Sequence, residues 1–396
     1  QKTRIKGNVH YVGVNDRNKH RFEGMWPLPY GVSYNSYLID DEMVALVDTV
    51  DICYFEVYLR KIKQVIGERP INYLIINHME PDHSGSIRLI KQHYPEIIIV
   101  GNKQTFGMIE GFYGVTGEQY LVKEGDFLAL GHHKLRFYMT PMVHWPETMM
   151  TFDETDGVLF SGDGFGCFGT VDGGFLDTRI NVDKYWGEMV RYYSNIVGKY
   201  GSPVQKALQK LGGLPISAIC STHGPVWTEN IAKVIGIYDR LSRYDADEGV
   251  VIAYGSMYGN TEQMAEAIAE ELSAQGVKNI VMHNVTKSHP SYIIADIFRY
   301  KGLIIGSPTY SNQIFPEVEA LLSKILLREV KGRYLGYFGS FAWAGAAVKR
   351  LAEFAEKSKF ELVGDPVEMK QAMKDLTYTQ CENLARAMAD RLKKDR

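Results

Sequence analysis

The chain has 396 residues, 45% of them hydrophobic and 23% charged, enough to build two cores of ordinary size. A formal net charge of −3 offers no basic surface to nucleic acid or an anionic membrane, and no apolar run reaches the roughly 18 residues of a membrane helix. Four cysteines, Cys53, Cys167, Cys220 and Cys381, are too scattered for a disulfide frame or a Cys-x-x-Cys metal site. They fit buried or incidental thiols of a cytoplasmic protein. The opening QKTRIKGNVHYVG has no apolar core, so no secretory signal is expected there.

To about Tyr244 the sequence reads as short strands with fewer helices. Strands are expected at 9–14, 33–40, 43–50, 71–77, 96–102, 134–141, 148–154, 157–163 and 216–224, each an apolar or alternating run bounded by turn residues. TMMTFDETDGVLFSGD joins two of these runs through a turn ending in Asp156-Gly157, a hairpin signal. Helices are expected over 53–67, 85–94 and 183–211. Together they point to a layered sheet sandwich covered by helices. From about Gly249 strand and helix alternate five times, starting with GVVIAYGS and TEQMAEAIAEELSAQG, which predicts a doubly wound five-stranded parallel sheet. The polar RYDADEG, 243–249, marks the boundary and gives domains of 1–246 and 249–396.

NHMEPDHSG, 77–85, follows the core strand INYLII and places His78, Glu80, Asp82 and His83 within six positions. Burying four ionisable groups there is costly without a cation. His144 after LRFYMTPMV, Asp163 after GVLFSG and His223 after ISAICST repeat the placement. Seven candidate metal ligands thus follow four apolar runs, and loops at one rim of a sheet can bring them together. The remaining histidines, His10, His20, His93, His132, His133, His283 and His289, are expected to be ordinary packed or exposed residues. The pair His132-His133 is expected in solvent, in a hairpin turn beside Gly131.

The pattern H-x-E-x-D-H, with His, Asp and His downstream, resembles the metallo-β-lactamase-like fold, an αββα sandwich whose zinc hydrolases usually carry H-x-H-x-D-H. Here Glu80 stands at the second His position, leaving four histidines and three carboxylates. That mixed nitrogen and oxygen set suits a pair of iron ions better than zinc. By the family's pattern His78, Glu80, His144 and Asp163 hold one iron, and Asp82, His83, Asp163 and His223 the other. Asp163 and an oxo or hydroxo group are the implied bridges.

VVIAYGSMYGNTEQMAEAI ends a strand, passes through Ser256, Met257, Tyr258, Gly259, Asn260 and Thr261, and enters a helix. No G-x-G-x-x-G is present. Hydroxyls and backbone N–H groups at a helix N-terminus can instead hold a phosphomonoester. The loop resembles the flavodoxin phosphate loop S/T-x-T-G-N-T, with Tyr258 in place of the usual Thr. Two later strand ends supply Ser307, Pro308, Thr309, Tyr310 and Asn312, then Ser340, Phe341, Ala342, Trp343 and Gly345. In flavodoxin-like folds these loops flank the flavin ring at the sheet's switch point. Tyr310 and Trp343 are candidates to stack on or edge that ring, and FMN is the expected cofactor.

Taken together, the two halves resemble the flavodiiron proteins over nearly the whole chain, and HWPET (144–148) and STHGPVW (221–227) fit as well. The resemblance implies an oxidoreductase that reduces O2 to water, NO to N2O, or both. Electrons are expected through FMN from an external carrier such as rubredoxin, because no Cys-x-x-Cys is present. It further implies a cytoplasmic head-to-tail homodimer or dimer of dimers. Phe22, Glu23, Trp26, Tyr192 and Tyr193 are candidates to line the gas pocket, Tyr193 the preferred one. A metal-dependent hydrolase, and a flavin electron carrier or gas sensor, are the rival readings.

Overall fold

The apolar runs of the first half pair into two sheets that share one core. The computed structural model describes residues 2–396. The larger sheet has the order Arg4–Lys6, Val9–Tyr11, Tyr37–Ile39, Ala45–Val47, Tyr73–Ile75, Ile98–Gly101, Gln119–Leu121. The smaller runs Phe127–Ala129, Lys134–Met139, Met149–Asp153, Val158–Gly162, Ala218–Ser221. Val47, Ile75 and Val100 of one sheet and Phe137, Phe160 and Ala218 of the other lie in a single buried cluster. Each fully buried large apolar side chain in such a core contributes about 1.5–3 kcal/mol. The expected hairpin forms: Met149–Asp153 and Val158–Gly162 pair antiparallel with Asp153 opposite Val158, and Gly157 turns the chain at φ +72°.

The helix expected over 183–211 is broken. Asp183–Tyr192 is α-helical, Tyr193–Val197 forms a π-helical turn, Gly198–Tyr200 a tight 3₁₀ turn, and Gly201–Leu211 a second α-helix. The wider π turn lets consecutive Tyr192 and Tyr193 both bury, where 3.6 residues per turn cannot keep a whole aromatic run inward. Two helices, Lys103–Tyr113 and Ile231–Ser242, and the short strands Arg4–Lys6, Arg21–Phe22, Trp26–Pro27, Gln119–Leu121 and Phe127–Ala129 were not anticipated by the sequence pattern. Gly107 and Gly111 dilute the helical signal of the first of these helices.

His133 is a correction. It does occupy the turn between Phe127–Ala129 and Lys134–Met139, but it is buried rather than solvated. Its Nδ1 lies 2.9 Å from Asp153 Oδ2, and its backbone N–H donates to Asp41 Oδ2 at 2.7 Å.

The two compact units divide at Ser242 and Arg243. In the second, parallel strands run in the order Ile280–Asn284, Asp247–Tyr254, Tyr300–Tyr310, Tyr334–Phe341, with Glu361–Leu362 and Val367–Lys370 sharing the last position. In chain order this is 2-1-3-4-5, the flavodoxin-like sequence of strands. Helices Asn260–Ala274 and Asp375–Lys393 bury Met264, Ile268, Leu384 and Met388 against Ile252, Ile304 and Phe338. Gly306 is required where it stands, because a Cβ there would lie 2.0 Å from the Phe338 ring.

Candidate metal centre and flavin cleft

All seven expected ligands meet at one point. The strand Tyr73–Ile75 delivers His78 and Glu80, and Pro81 then starts the short helix Pro81–Ser84 that carries Asp82 and His83. His144 comes from the loop between Lys134–Met139 and Met149–Asp153; Asp163 and His223 follow Val158–Gly162 and Ala218–Ser221. All seven are buried.

Distances divide them into two sets. Asp163 Oδ2 lies 3.2 Å from His78 Nε2 and 3.1 Å from His144 Nε2, with Glu80 Oε2 at 3.5 and 3.3 Å from the same nitrogens. Asp163 Oδ1 lies 3.2 Å from His83 Nε2 and 3.4 Å from His223 Nε2. Asp82 offers its own oxygens to that second pair, at 3.5 and 3.2 Å. Each oxygen of Asp163 therefore faces a different set.

The side chains fit a pair of cations. Nε2 of His78, His83 and His223 and both oxygens of Asp82 are buried and make no hydrogen bond. Such groups are normally satisfied, and a positive ion between them removes the cost. Without one, protons take its place: burial pulls His144 down, yet bonds to Asp163 and Glu80 hold it at about 9. His223, lowered by burial and raised by Asp163 and Asp82, reaches about 10. The donor set of imidazoles and hard carboxylate oxygens matches iron.

The sequence pattern missed the residues that hold these ligands. Glu147 Oε2 meets His78 Nδ1 at 3.0 Å and accepts from Met79 N–H at 2.7 Å. His223 Nδ1 donates to Ser33 O at 2.7 Å, and Thr222 Oγ1 donates to Asp163 Oδ1 at 2.6 Å. Asn35 straddles the His223 loop, donating from Nδ2 to Ser221 O and Gly224 O. These partners lie far away in sequence; only the HWPET motif hinted at Glu147.

Aromatic rings wall the site. Phe22 and Tyr192 lie 5.3 and 5.8 Å from the His223 ring, and Trp145 stands edge-on to His78 at 5.1 Å. Tyr192, rather than the expected Tyr193, borders the ligands; Tyr193 turns its ring edge against Tyr238. Burial and the charges of Asp163, Glu80 and Asp82 keep the Tyr192 hydroxyl protonated, well above its ordinary pKa. Glu23 is exposed as a residue, but its carboxyl is turned in against Glu80. Burial of that carboxyl and the Glu80 charge push it up to about 7, while Trp26 Nε1 donates to it at 3.3 Å.

In the second unit a cleft of about 360 Å³ opens at the carboxyl ends of the strands. Met257, Tyr258, Asn260, Thr261, Pro308, Thr309, Tyr310, Asn312, Ser340, Phe341, Ala342 and Trp343 line it, as the sequence led us to expect. Ser256, Gly259, Ser307 and Gly345 do not. Ser256 Oγ accepts from Gly259 N–H and Glu262 N–H and shapes the loop instead. Ser307 Oγ is engaged by Pro308 O and Phe315 N–H. Ser311, Ala344 and Gln371 were missed, although Gln371 directly follows the last strand, Val367–Lys370, where ligands of such sheets bind. The cleft fits a flavin phosphate and ring. The helix Asn260–Ala274 starts beside it from Gly259, which has no side chain to cap the N-terminus, and Ser256 Oγ takes the N–H of Glu262 in its first turn. Tyr258 and Trp343 stand 88% and 79% exposed at its edge, a cost to large aromatics that a planar ring would relieve.

A metallo-β-lactamase-like sandwich with two mixed imidazole–carboxylate sets, joined to a flavodoxin-like domain, defines a two-cofactor metalloflavoprotein. The family description "ODP family beta lactamase" matches residues 32–224, and "Flavodoxin" matches 252–383. The anaerobic nitric oxide reductase flavorubredoxin of Vibrio vulnificus is 32% identical over 363 residues, 90% of this chain and 73% of that protein. The rubredoxin oxygen:oxidoreductase of Desulfovibrio gigas superposes with a TM-score of 0.95 at 31% identity, covering 100% of this chain and 99% of that one. The flavodiiron protein of Giardia intestinalis gives 0.94 at 27% identity, covering 100% and 98%. The chain belongs to the flavodiiron protein family.

Proposed function

We propose that this chain is a flavodiiron oxidoreductase that reduces O2 to water, NO to N2O, or both, with electrons passed through FMN from a carrier such as rubredoxin. The observation that carries the reading is Asp163, whose two oxygens face two separate ligand sets in a chain that also carries a flavin cleft. The sets His78, Glu80, His144, Asp163 and Asp82, His83, Asp163, His223 hold the irons, and the three loops around the cleft hold FMN. When bound, the irons and the flavin supply the electrons, four per O2 or two per pair of NO, and the Lewis acidity for the diatomic.

The protein's own groups do the rest. Glu80 supplies an anionic oxygen where zinc hydrolases of this fold usually have an imidazole. Thr222 fixes the orientation of Asp163, and Ser33 and Glu147 fix the tautomers of His223 and His78. The rings of Phe22, Tyr192 and Trp145 keep bulk water from the ligands. Tyr192 holds a proton at Oη beside the carboxylates, where a reduced oxygen atom needs a hydrogen-bond donor.

No helix among the described residues is long and apolar enough to cross a membrane. A cytoplasmic location, and a head-to-tail homodimer or dimer of dimers, accompany this proposal; sedimentation of the holoprotein at twice the chain mass or more is the expected result. The deciding experiment is a gas-electrode assay of iron- and FMN-loaded protein fed by reduced rubredoxin, first with O2 and then anaerobically with NO. Consumption of either gas above the no-enzyme rate supports the reading and ranks the two substrates. No consumption, even with a chemical reductant, overturns it; two zinc ions per purified chain would favour a hydrolase instead.

A further inference from the structure

The two iron positions have inner shells of the same make-up. Each takes two imidazoles, one carboxylate of its own and one oxygen of Asp163. Any electronic difference between them that the protein's own groups impose must come from behind the ligands, and there the structure is lopsided.

His78 is backed by a carboxylate. Glu147 is fully buried, and its Oε2 takes both the His78 Nδ1 proton and the Met79 N–H. Its Oε1 is buried with no hydrogen-bond partner, and no Lys or Arg pairs with Glu147 among the described residues, so its charge is directed at His78. On the other side, His223 is backed by the neutral Ser33 carbonyl, and His83 Nδ1 is buried with no partner; the buried Asp48 carboxyl acts on both His83 and His78, bonds neither, and takes the N–H and Nδ2 of Asn77 instead. The shared carboxylate is biased the same way. Thr222 donates to Asp163 Oδ1, the oxygen facing His83 and His223, and withdraws charge from it; Oδ2 keeps its charge for His78 and His144. A carboxylate behind an imidazole makes it a stronger donor, and a hydrogen bond to a ligating oxygen makes that oxygen a weaker one. Glu23, against Glu80, is unchanged in the wild type and in each variant compared below.

We propose that Glu147 is a positioning residue that makes the iron held by His78, Glu80, His144 and Asp163 the lower-potential member of the pair, with Thr222 holding the other iron higher. The ferric ion of the half-oxidised centre then resides in the His78 set. The inference rests on the diiron reading above.

The test is an anaerobic redox titration of iron- and FMN-loaded full-length protein, enriched in ⁵⁷Fe, followed by EPR and Mössbauer spectroscopy, with the flavin tracked by absorbance. Wild type shows two iron steps. Glu147→Gln raises the lower step and leaves the upper one; a tenfold loss of preference for the ferric ion reads as about 59 mV. In the half-oxidised state it perturbs the ferric component of the Mössbauer spectrum and not the ferrous. Thr222→Val lowers the upper step and leaves the lower. Glu147→Asp, which keeps the charge, restores the wild-type separation in part. Equal movement of both steps, or none, in Glu147→Gln overturns the proposal. If that variant does not retain iron, Thr222→Val decides, because an unmoved upper step also overturns it. Wild-type protein without two irons per chain sinks the diiron reading itself, a result separable from either variant's.

Discussion

Glu80 is the residue on which metal choice turns. Its carboxylate replaces an imidazole and adds charge to a set that otherwise matches a zinc site. Glu80→His is expected to lower iron and raise zinc in protein purified from metal-balanced medium, read by elemental analysis. His133 gives a prediction of a different kind. Burial lowers it, but the bond and charge of Asp153 outweigh that, and its pKa is raised above 6.5. A raised folded-state value means the charged pair stabilises fully below about pH 6.5 and fades as pH rises through the folded pKa. His133→Asn should therefore cost about 2–4 kcal/mol in urea unfolding at pH 6, with a smaller cost at pH 9. The ligands were legible in the sequence because one motif concentrates four of them after a strand. Glu147, Ser33 and Thr222 were not, since what a buried carboxylate or hydroxyl touches depends on pairings as distant as 69 and 190 residues.

At the level of elements, the start of helix Asn260–Ala274 is where sequence, backbone and ligand meet. Gly259 sits at φ +98°, in the left-handed region where a β-branched residue is strained, and that turn brings the helix N-terminus to the cleft. Thr261 Oγ1 lies 2.7 Å from Ser340 Oγ and ties this loop to the fourth strand's. Thr261→Val should weaken FMN about tenfold in fluorescence titration, the worth of one good hydrogen bond, with secondary structure unchanged by circular dichroism. The alternation of the second half and the hairpin at Asp156-Gly157 could be read directly, because period and turn chemistry agree there. The break at Tyr193–Val197 could not: a π turn leaves no periodic signature, and the aromatic run suits a helix equally well. Lys103–Tyr113 was hidden by its glycines, although Asn102, whose side chain accepts from Thr105 N–H, and Gly114 in left-handed conformation mark both ends.

On the scale of the whole chain, each cofactor belongs to its own unit with its own core. Ligands that bind only the folded state stabilise the unit that holds them. Calorimetry of the cofactor-free protein should give two transitions, with iron raising one midpoint and FMN the other; a single transition moved by both would show that the units unfold together. The order of domains was visible in the change from short strands to regular alternation.

One exposed ring makes this protein its own meter. Of its five tryptophans, Trp26 and Trp227 are buried and Trp145 and Trp186 half-buried, leaving Trp343 in water at the flavin cleft. Its emission is expected at the red edge of the spectrum, and a flavin seated beside it is expected to quench that light. The fraction of chains carrying flavin can thus be followed continuously, without label, by the dimming of a single side chain.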